Sequence, residues 1–537
     1  MSSFSVKDQR ITISDDSGVL NTIKRCFGIN LGITLRDQSI WIGDLCSVWH
    51  TIKNMAAREH ISVPSDLESF VDAEVARRTE MARSNVSESE SVSFDELMFL
   101  FEPNDRIVVT VDGHQMGAIF NSAVPVLINS MRFTSVEFIG ITNLTKSVSK
   151  QKMRVQIASF AGTVPISRCS VRPASKADVA KLSERGSAYR RFSSDGPKYL
   201  SYSGNVTRQE YRANYKLNAS GRVMLDPVGF SSVDTDGWDV CGNKSPVVDA
   251  EHRDEMSYEI PDDELWMTYP FLYGFSFKNK IWGRFEVSGL SEIRWRKDAF
   301  DLLVMDAGEK ELIRALVEHR GASFGDVIDG KSGGTIFLLH GSPGLGKTLT
   351  AETVAEVLKK PLYSVGVGEL GTSPGDLEMN LREILEIATS WDAVLLLDEA
   401  DIFLEARRDS DILRNAMVGI FLRLLEYYHG VLFLTSNRAK NIDEAFVSRI
   451  SIIINYGANN ISTRSQIWKN ILGAAGVSIH DRDIEALSRF DINGRQIKNV
   501  VRTSQTLARA RGIDTDAKLI SSVISKTIDS IASLKDT

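Results

Sequence analysis

GSPGLGKT at residues 341–348 and AVLLLDE at 393–399 are the two stretches that decide the fold of the second half of the chain. The first fits the pattern G-x-x-x-x-G-K-[ST], a glycine-rich turn between a strand and a helix that cradles phosphate. The second lies about fifty residues further on. It is an apolar run ending in two acids, as expected for a buried strand that delivers carboxylates at its C-terminal end. Residues 335–340 read as an apolar strand leading into the loop, and good helix formers follow it, which is the context the motif requires.

Reading outward, the last half alternates strand and helix. Strands are expected at 335–340, 362–365, 393–397, 431–435 and 452–454, with helices through 359, near 376–389 and near 412–427. Such βαβ alternation predicts a parallel sheet with helices on both faces. Beyond Gly457 the patterns are only helical, at 462–472, 483–490, 495–510 and 517–532, predicting a small all-α lid. The fold class is therefore α/β, a P-loop parallel sheet with a C-terminal helical lid. A β-rich accessory domain precedes it, after a helical or mixed N-terminal region.

Upstream, 106–111, 133–142 and 153–157 are short β-rich runs, with a turn at Asp112-Gly113. The polar stretch 84–91 reads as a linker. A helical patch covers 176–191. Residues 231–264 carry eleven acids against two bases, most simply a solvated linker. The expected divisions are 1–92, an N-terminal region with a polar linker; 93–165, the β-rich domain; 166–305, an extended segment and linker; 306–457, the α/β domain; and 458–537, the lid.

Composition sets limits. At 537 residues two or three domains are expected. Hydrophobic content of 43% with 25% charged residues is that of a soluble globular chain. A net charge of −7 argues against wholesale coating of nucleic acid, and no basic stripe interleaved with aromatics is evident. The four cysteines, Cys26, Cys46, Cys169 and Cys241, form no C-x-x-C pair, which fits a reducing compartment. No run of about 18 apolar residues is found, so no membrane span is expected. The N-terminus has no apolar signal core. An intracellular, soluble chain follows, in cytoplasm or nucleus.

The chemistry implied by the two motifs is that of Mg-ATP. Gly341, Ser342, Pro343, Gly344, Leu345, Gly346, Lys347, Thr348 and Leu349 would bind the nucleotide. Backbone N–H groups from Gly344 to Lys347 would hold the phosphates. Lys347 would reach the β and γ phosphates, and Thr348 would give a hydroxyl to Mg²⁺. Asp398 would hold the hydrated metal and Glu399 would polarise the attacking water. Asp401 reads as an interface or structural acid.

Together these features resemble the AAA+ ATPases. In that family the strand after the acid pair ends in a polar sensor, which LFLTSN at 432–437 fits, so the resemblance gives Asn437 the task of orienting the lytic water. DEAFVSRI at 443–450 puts Arg449 where the family carries an arginine finger for the neighbouring subunit. One arginine stands there where many relatives have two. NGRQI at 493–497 is similar to a second sensor, with Arg495 reaching the γ phosphate. PLYSV at 361–365, GELGT at 368–372, LEARR at 404–408, RNA at 414–416 and LLEYY at 424–428 resemble a group of largely uncharacterised fungal AAA ATPases. GRVMLD at 221–226, KIW at 280–282 and the β-rich stretch from Phe94 to about Val164 are similar to the accessory region those proteins carry. The resemblance implies a homo-oligomeric ring, possibly a hexamer, and a client protein that it does not name.

Family members that thread polypeptide use an aromatic residue on the loop after the second strand. Here that loop, GVGELGTSPG at 366–375, has none and reads as glycine-rich and flexible. Two functions stay open: an ATP-driven remodeller of a protein or complex, and a nucleotide-switched binding or signalling module with slow hydrolysis. Bland readings suit the rest. His340 reads as a satisfied boundary residue, the aromatics from Trp266 to Trp282 as packing against the ATPase core, and Lys359-Lys360 as a helix end.

Overall fold

A computed structural model describes residues 4–14, 18–31, 39–128, 131–145, 147–193, 196–210, 213–233, 258–296, 298–318, 334–406, 411–438 and 442–535. It divides into two compact units, Met1–Glu292 and Ile293–Thr537. Among the described residues no helix is long and apolar enough to cross a membrane.

The second unit holds the α/β core. Its strands are β1 (Thr335–Gly341), β2 (Leu362–Gly366), β3 (Val394–Asp398), β4 (Val431–Ser436) and β5 (Ile452–Tyr456). All pair in parallel, in the order β2-β3-β4-β1-β5. Val394 to Leu397 and Val431 to Leu434 are at most 1% exposed, because helices cover both faces of the sheet. Burying each such side chain contributes roughly 1.5–3 kcal/mol. The chain runs from α1 (Ala307–Glu318) through α2 (Lys347–Leu358), α3 (Pro374–Ser390), α4 (Asp401–Leu404), α5 (Ile412–Glu426) and α6 (Glu444–Val447). Ser373 and Asp411 cap α3 and α5 by accepting from the N–H groups of Asp376 and Arg414. Lys360 pairs with Asp392 at 2.5 Å just after α2, so it secures the loop beyond the helix.

Four helices follow the sheet: α7 (Ile461–Ala474), α8 (Asp481–Ser488), α9 (Gly494–Arg511) and α10 (Ala517–Lys535). They enclose their own core, with Trp468, Leu472, Ile497, Val501, Ile520 and Ile524 at its centre. Arg464 is buried but paired. It donates to Ser488 O, to Asn459 O and to Asp491 Oδ1, each at 2.8 Å.

The first unit is largely antiparallel β. Strands Val171–Pro173, Arg106–Val111, His114–Ile128, Met131–Thr145 and Ser147–Ala158 form one five-stranded sheet in that order. In the other, Ala213–Leu225, Phe271–Ser276, Ile281–Glu286 and Lys198–Glu210 follow one another, and the last pairs back with the first. One apolar core runs from Ile11 to Leu290, so the divisions expected near 92 and 165 do not separate cores.

Two further expectations are corrected. The polar stretch 84–91 is not a linker: it is the end of helix Ser65–Ser89 and the start of strand Ser91–Ser93. The helix buries only Leu67, Val71 and Ala82, and is supported by ion pairs one turn apart, Glu74 with Arg77 and Arg78. The aromatic run packs within the first unit's own core, where Trp266, Tyr269, Phe271 and Tyr273 are at most 1% exposed. The acidic stretch expected as a linker lies mostly outside the described residues. Its end is packed, with Leu265 and Trp266 buried and Glu264 paired to Lys150 at 2.6 Å.

Arg284 is a buried charge within this core. It is 2% exposed, paired with Asp112 Oδ2 at 2.8 Å, and donates to Tyr269 Oη at 3.1 Å. Asp112→Ala leaves that guanidinium short of a counter-charge and should destabilise the unit by about 3 kcal/mol. Arg154→Ala, which breaks an exposed pair with Glu137, should cost under about 1 kcal/mol. Chemical denaturation of both variants measures the difference.

Candidate active site

Strand β1 ends in Gly341, and after five intervening residues α2 begins at Lys347. The turn needs glycine. Gly346 sits at φ 105°, and Gly344 at φ 81° leaves no room for a Cβ, which would lie 2.8 Å from the Asn493 side chain. Gly346 occupies the cap position of α2 without any side-chain acceptor, so the first N–H groups of the helix are open to an anion. Thr348 and Leu349 lie in the first turn, Leu349 half exposed.

Lys347 is 7% exposed, and its ammonium uses all three protons. It donates to Gly341 O at 2.6 Å, Ser342 O at 3.0 Å and Asn437 Oδ1 at 2.8 Å. Burial holds its pKa below the ordinary lysine value; Asp398, Asp401 and Glu399 oppose that drop, and Arg495 adds to it.

The acid pair stands at the end of β3, next to the end of β4. Thr435 Oγ1 donates to Asp398 Oδ1 at 2.5 Å and accepts from Glu399 N at 2.9 Å. Glu399 has φ 59°, a left-handed backbone that a side chain rarely adopts. Asp401 is a structural acid: it accepts from Ser436 Oγ at 2.5 Å, Asn437 N at 3.1 Å and Arg438 N at 3.2 Å. The strand end that carries Asn437 is thereby fixed. Below the loop, Tyr456 Oη and Thr350 Oγ1 lie 2.5 Å apart, and burial pushes the Tyr456 phenol up to about 12.

From the lid, Asn493 caps α9 through Gln496 N at 2.9 Å and reaches Pro343 O at 3.4 Å. Arg495 follows in the first turn of α9, within electrostatic reach of Lys347.

The structure thus brings Lys347, Asp398, Glu399, Asn437 and Arg495 to one edge of the sheet. Arg449 has other contacts. Two residues past α6, it donates to Ala445 O at 2.8 Å and lies 3.5 Å from Glu426. His340 is not satisfied as expected, since its buried Nδ1 has no hydrogen-bond partner among the described residues. The glycine-rich loop after β2 folds as a 3₁₀ turn, Val367–Leu370, with Glu369 accepting from Gly366 N at 2.7 Å. Arg407 and Arg408 lie outside the described residues.

Among the described residues no cluster of three or more His, Cys, Asp or Glu could hold a metal. Mg²⁺ carried in by phosphate needs only one or two protein ligands, and Asp398 beside the loop fits that demand. Sequence reasoning missed the Thr435 bridge and the contact of Asn493 with the loop. A threonine closing an apolar parallel strand was the available signal for the first; the second is a long-range contact with no local mark.

This fold and its glycine turn are those of an α/β P-loop domain. Residues 337–458 match the family described as "ATPase family associated with various cellular activities (AAA)". Residues 82–178 match a domain of unknown function (DUF7025), overlapping the expected accessory domain. The chain is 30% identical to the ATPase family gene 2 protein of Schizosaccharomyces pombe over 161 residues, 28% of this chain and 20% of that one. It is 25% identical to spastin of Xenopus tropicalis over 164 residues, 28% of this chain and 27% of that one. A putative 26S proteasome regulatory subunit homolog of Methanothermobacter thermautotrophicus is 27% identical over 174 residues, 30% of this chain and 46% of that one. The chain therefore matches less than half the length of each of these relatives.

The depressed Lys347 pKa gives a signed pH effect. Between its folded and unfolded values the unfolded chain binds the extra proton, so stability rises with pH there. Without nucleotide, the wild type should gain stability relative to Lys347→Met as pH climbs from neutral toward the ordinary lysine value of 10.5. Denaturant midpoints of both proteins across that range measure it.

Proposed function

We propose that this chain is an Mg-ATP-hydrolysing AAA+ ATPase that remodels a protein or complex. The observation that carries the reading is the convergence of Lys347, Asp398, Glu399, Asn437 and Arg495 on one edge of the parallel sheet, beside a glycine turn open to anions. Residues 341–349 bind the nucleotide. Lys347 exchanges its carbonyl and amide partners for the β and γ phosphates, a trade of neutral acceptors for charged ones. Thr348 and Asp398 hold Mg²⁺, which supplies charge neutralisation at the phosphates when bound.

Glu399 accepts a proton from the water that attacks the γ phosphorus, and Asn437 orients that water. The bond to the β-γ bridging oxygen breaks, and ADP leaves with its electron pair. Arg495 stabilises charge on the transferred group from the lid. Arg449 serves the neighbouring subunit. Its exposed 3.5 Å pairing with Glu426 is weak enough to release it on assembly into a homo-oligomeric ring.

In domain terms, 306–457 is the motor and 458–537 the lid, while the first unit selects the client protein. Likeness to the fungal AAA group is consistent with both matches. Nucleic acid is not the substrate in this reading. Buried Cys26 and Cys46 suit a reducing, intracellular setting.

Steady-state phosphate release tests the assignment. Glu399→Gln should lower turnover by about 10²–10³-fold while ATP still binds. Arg449→Ala should lower it by about 10³-fold. Unchanged turnover in both variants overturns the reading.

A further inference from the structure

Thr435 offers a single hydroxyl to two groups that the proposed chemistry uses differently. Its Oγ1 donates to Asp398 Oδ1 at 2.5 Å and accepts from the backbone N–H of Glu399 at 2.9 Å. Its carbonyl accepts from Ala400 N, also at 2.9 Å. Three consecutive residues, Asp398 at the end of β3 and Glu399 and Ala400 after it, are therefore tied to one residue of β4. Thr435 is 1% exposed, and its branched side chain is stiff, so the hydroxyl has little freedom to turn elsewhere.

Register explains why this position matters. Leu397 pairs with Leu434, which sets Asp398 and Thr435 side by side at the ends of neighbouring strands. Glu399 then departs from the strand with φ 59°, an unfavourable backbone for a residue with a side chain. Such a conformation persists only where surrounding contacts over-determine it, and the Thr435 bond to Glu399 N is one of those contacts.

We infer that Thr435 is a positioning residue that sets both members of the acid pair: it fixes the orientation of the Asp398 carboxylate, with Oδ1 engaged, and holds the turn that aims Glu399. Valine in its place keeps the shape and loses both bonds. Serine keeps both bonds and loses only a methyl group. The inference rests on the reading of Asp398 as metal holder and Glu399 as base.

The test uses the full chain with Thr435→Val and Thr435→Ser, and reads Mn²⁺ affinity by electron paramagnetic resonance in the presence of ADP alongside ATP turnover. Thr435→Val should weaken Mn²⁺ binding and lower turnover, each by about tenfold or more, while ADP affinity in EDTA stays within about twofold. Thr435→Ser should restore both to within about threefold of wild type. Thr435→Ala serves as the hydroxyl-free variant if the valine form does not fold. Wild-type Mn²⁺ affinity and turnover in a hydroxyl-free variant, or a serine variant as impaired as the valine one, overturns the inference. Absence of turnover in the wild type would instead count against the ATPase reading, and the Mn²⁺ titration would still decide the role of Thr435.

Discussion

The parallel pairing of β4 with β1 on one side and β3 on the other is the constraint on which the site depends. It sets His340 beside Ser436 and Leu397 beside Leu434, so the phosphate loop, the acid pair and Asn437 all leave the sheet at one edge. No side chain could make that arrangement alone. Lys347 then closes it, spanning from α2 to two loop carbonyls and to Asn437 at the end of β4. Thr435 and Asp401 complete the edge by tying the ends of β3 and β4 to each other.

This edge is also where unfavourable terms accumulate. A lysine is held 7% exposed, a glutamate sits at φ 59°, and His340 keeps a buried nitrogen without a partner among the described residues. Such costs are tolerated because the apolar strands behind them are buried on both faces, and because each charge has a neighbour of opposite sign. They are concentrated where a ligand rich in negative charge would relieve them. In the proposed function a phosphate group would accept from Lys347 and from the open N–H groups of α2, and its arrival would release Asn437.

Much of the second unit was legible because its signals are local. A strand–turn–helix around GSPGLGKT and an apolar run ending at Asp398 mark themselves along the chain. Each expected strand of the sheet is found with ends within two residues. The first unit was harder to read. Ser84 to Ser91 looks like a linker because its side chains are polar, yet ion pairs and a tertiary lever hold the helix: Asn85 donates to Glu96 at 2.5 Å. The aromatic run from Trp266 points to burial, but nothing local says which core receives it. Antiparallel pairing between residues as distant as Val206 and Phe285 decides that, and such contacts leave no periodic trace.

In the proposed function this edge hydrolyses ATP and is completed by a second copy of the chain. A single-turnover measurement with labelled ATP and Mg²⁺, repeated over a range of protein concentrations, tests it most directly. The account predicts phosphate release whose rate rises more steeply than in proportion to protein. ATP that stays bound and unhydrolysed for hours at every concentration would contradict it.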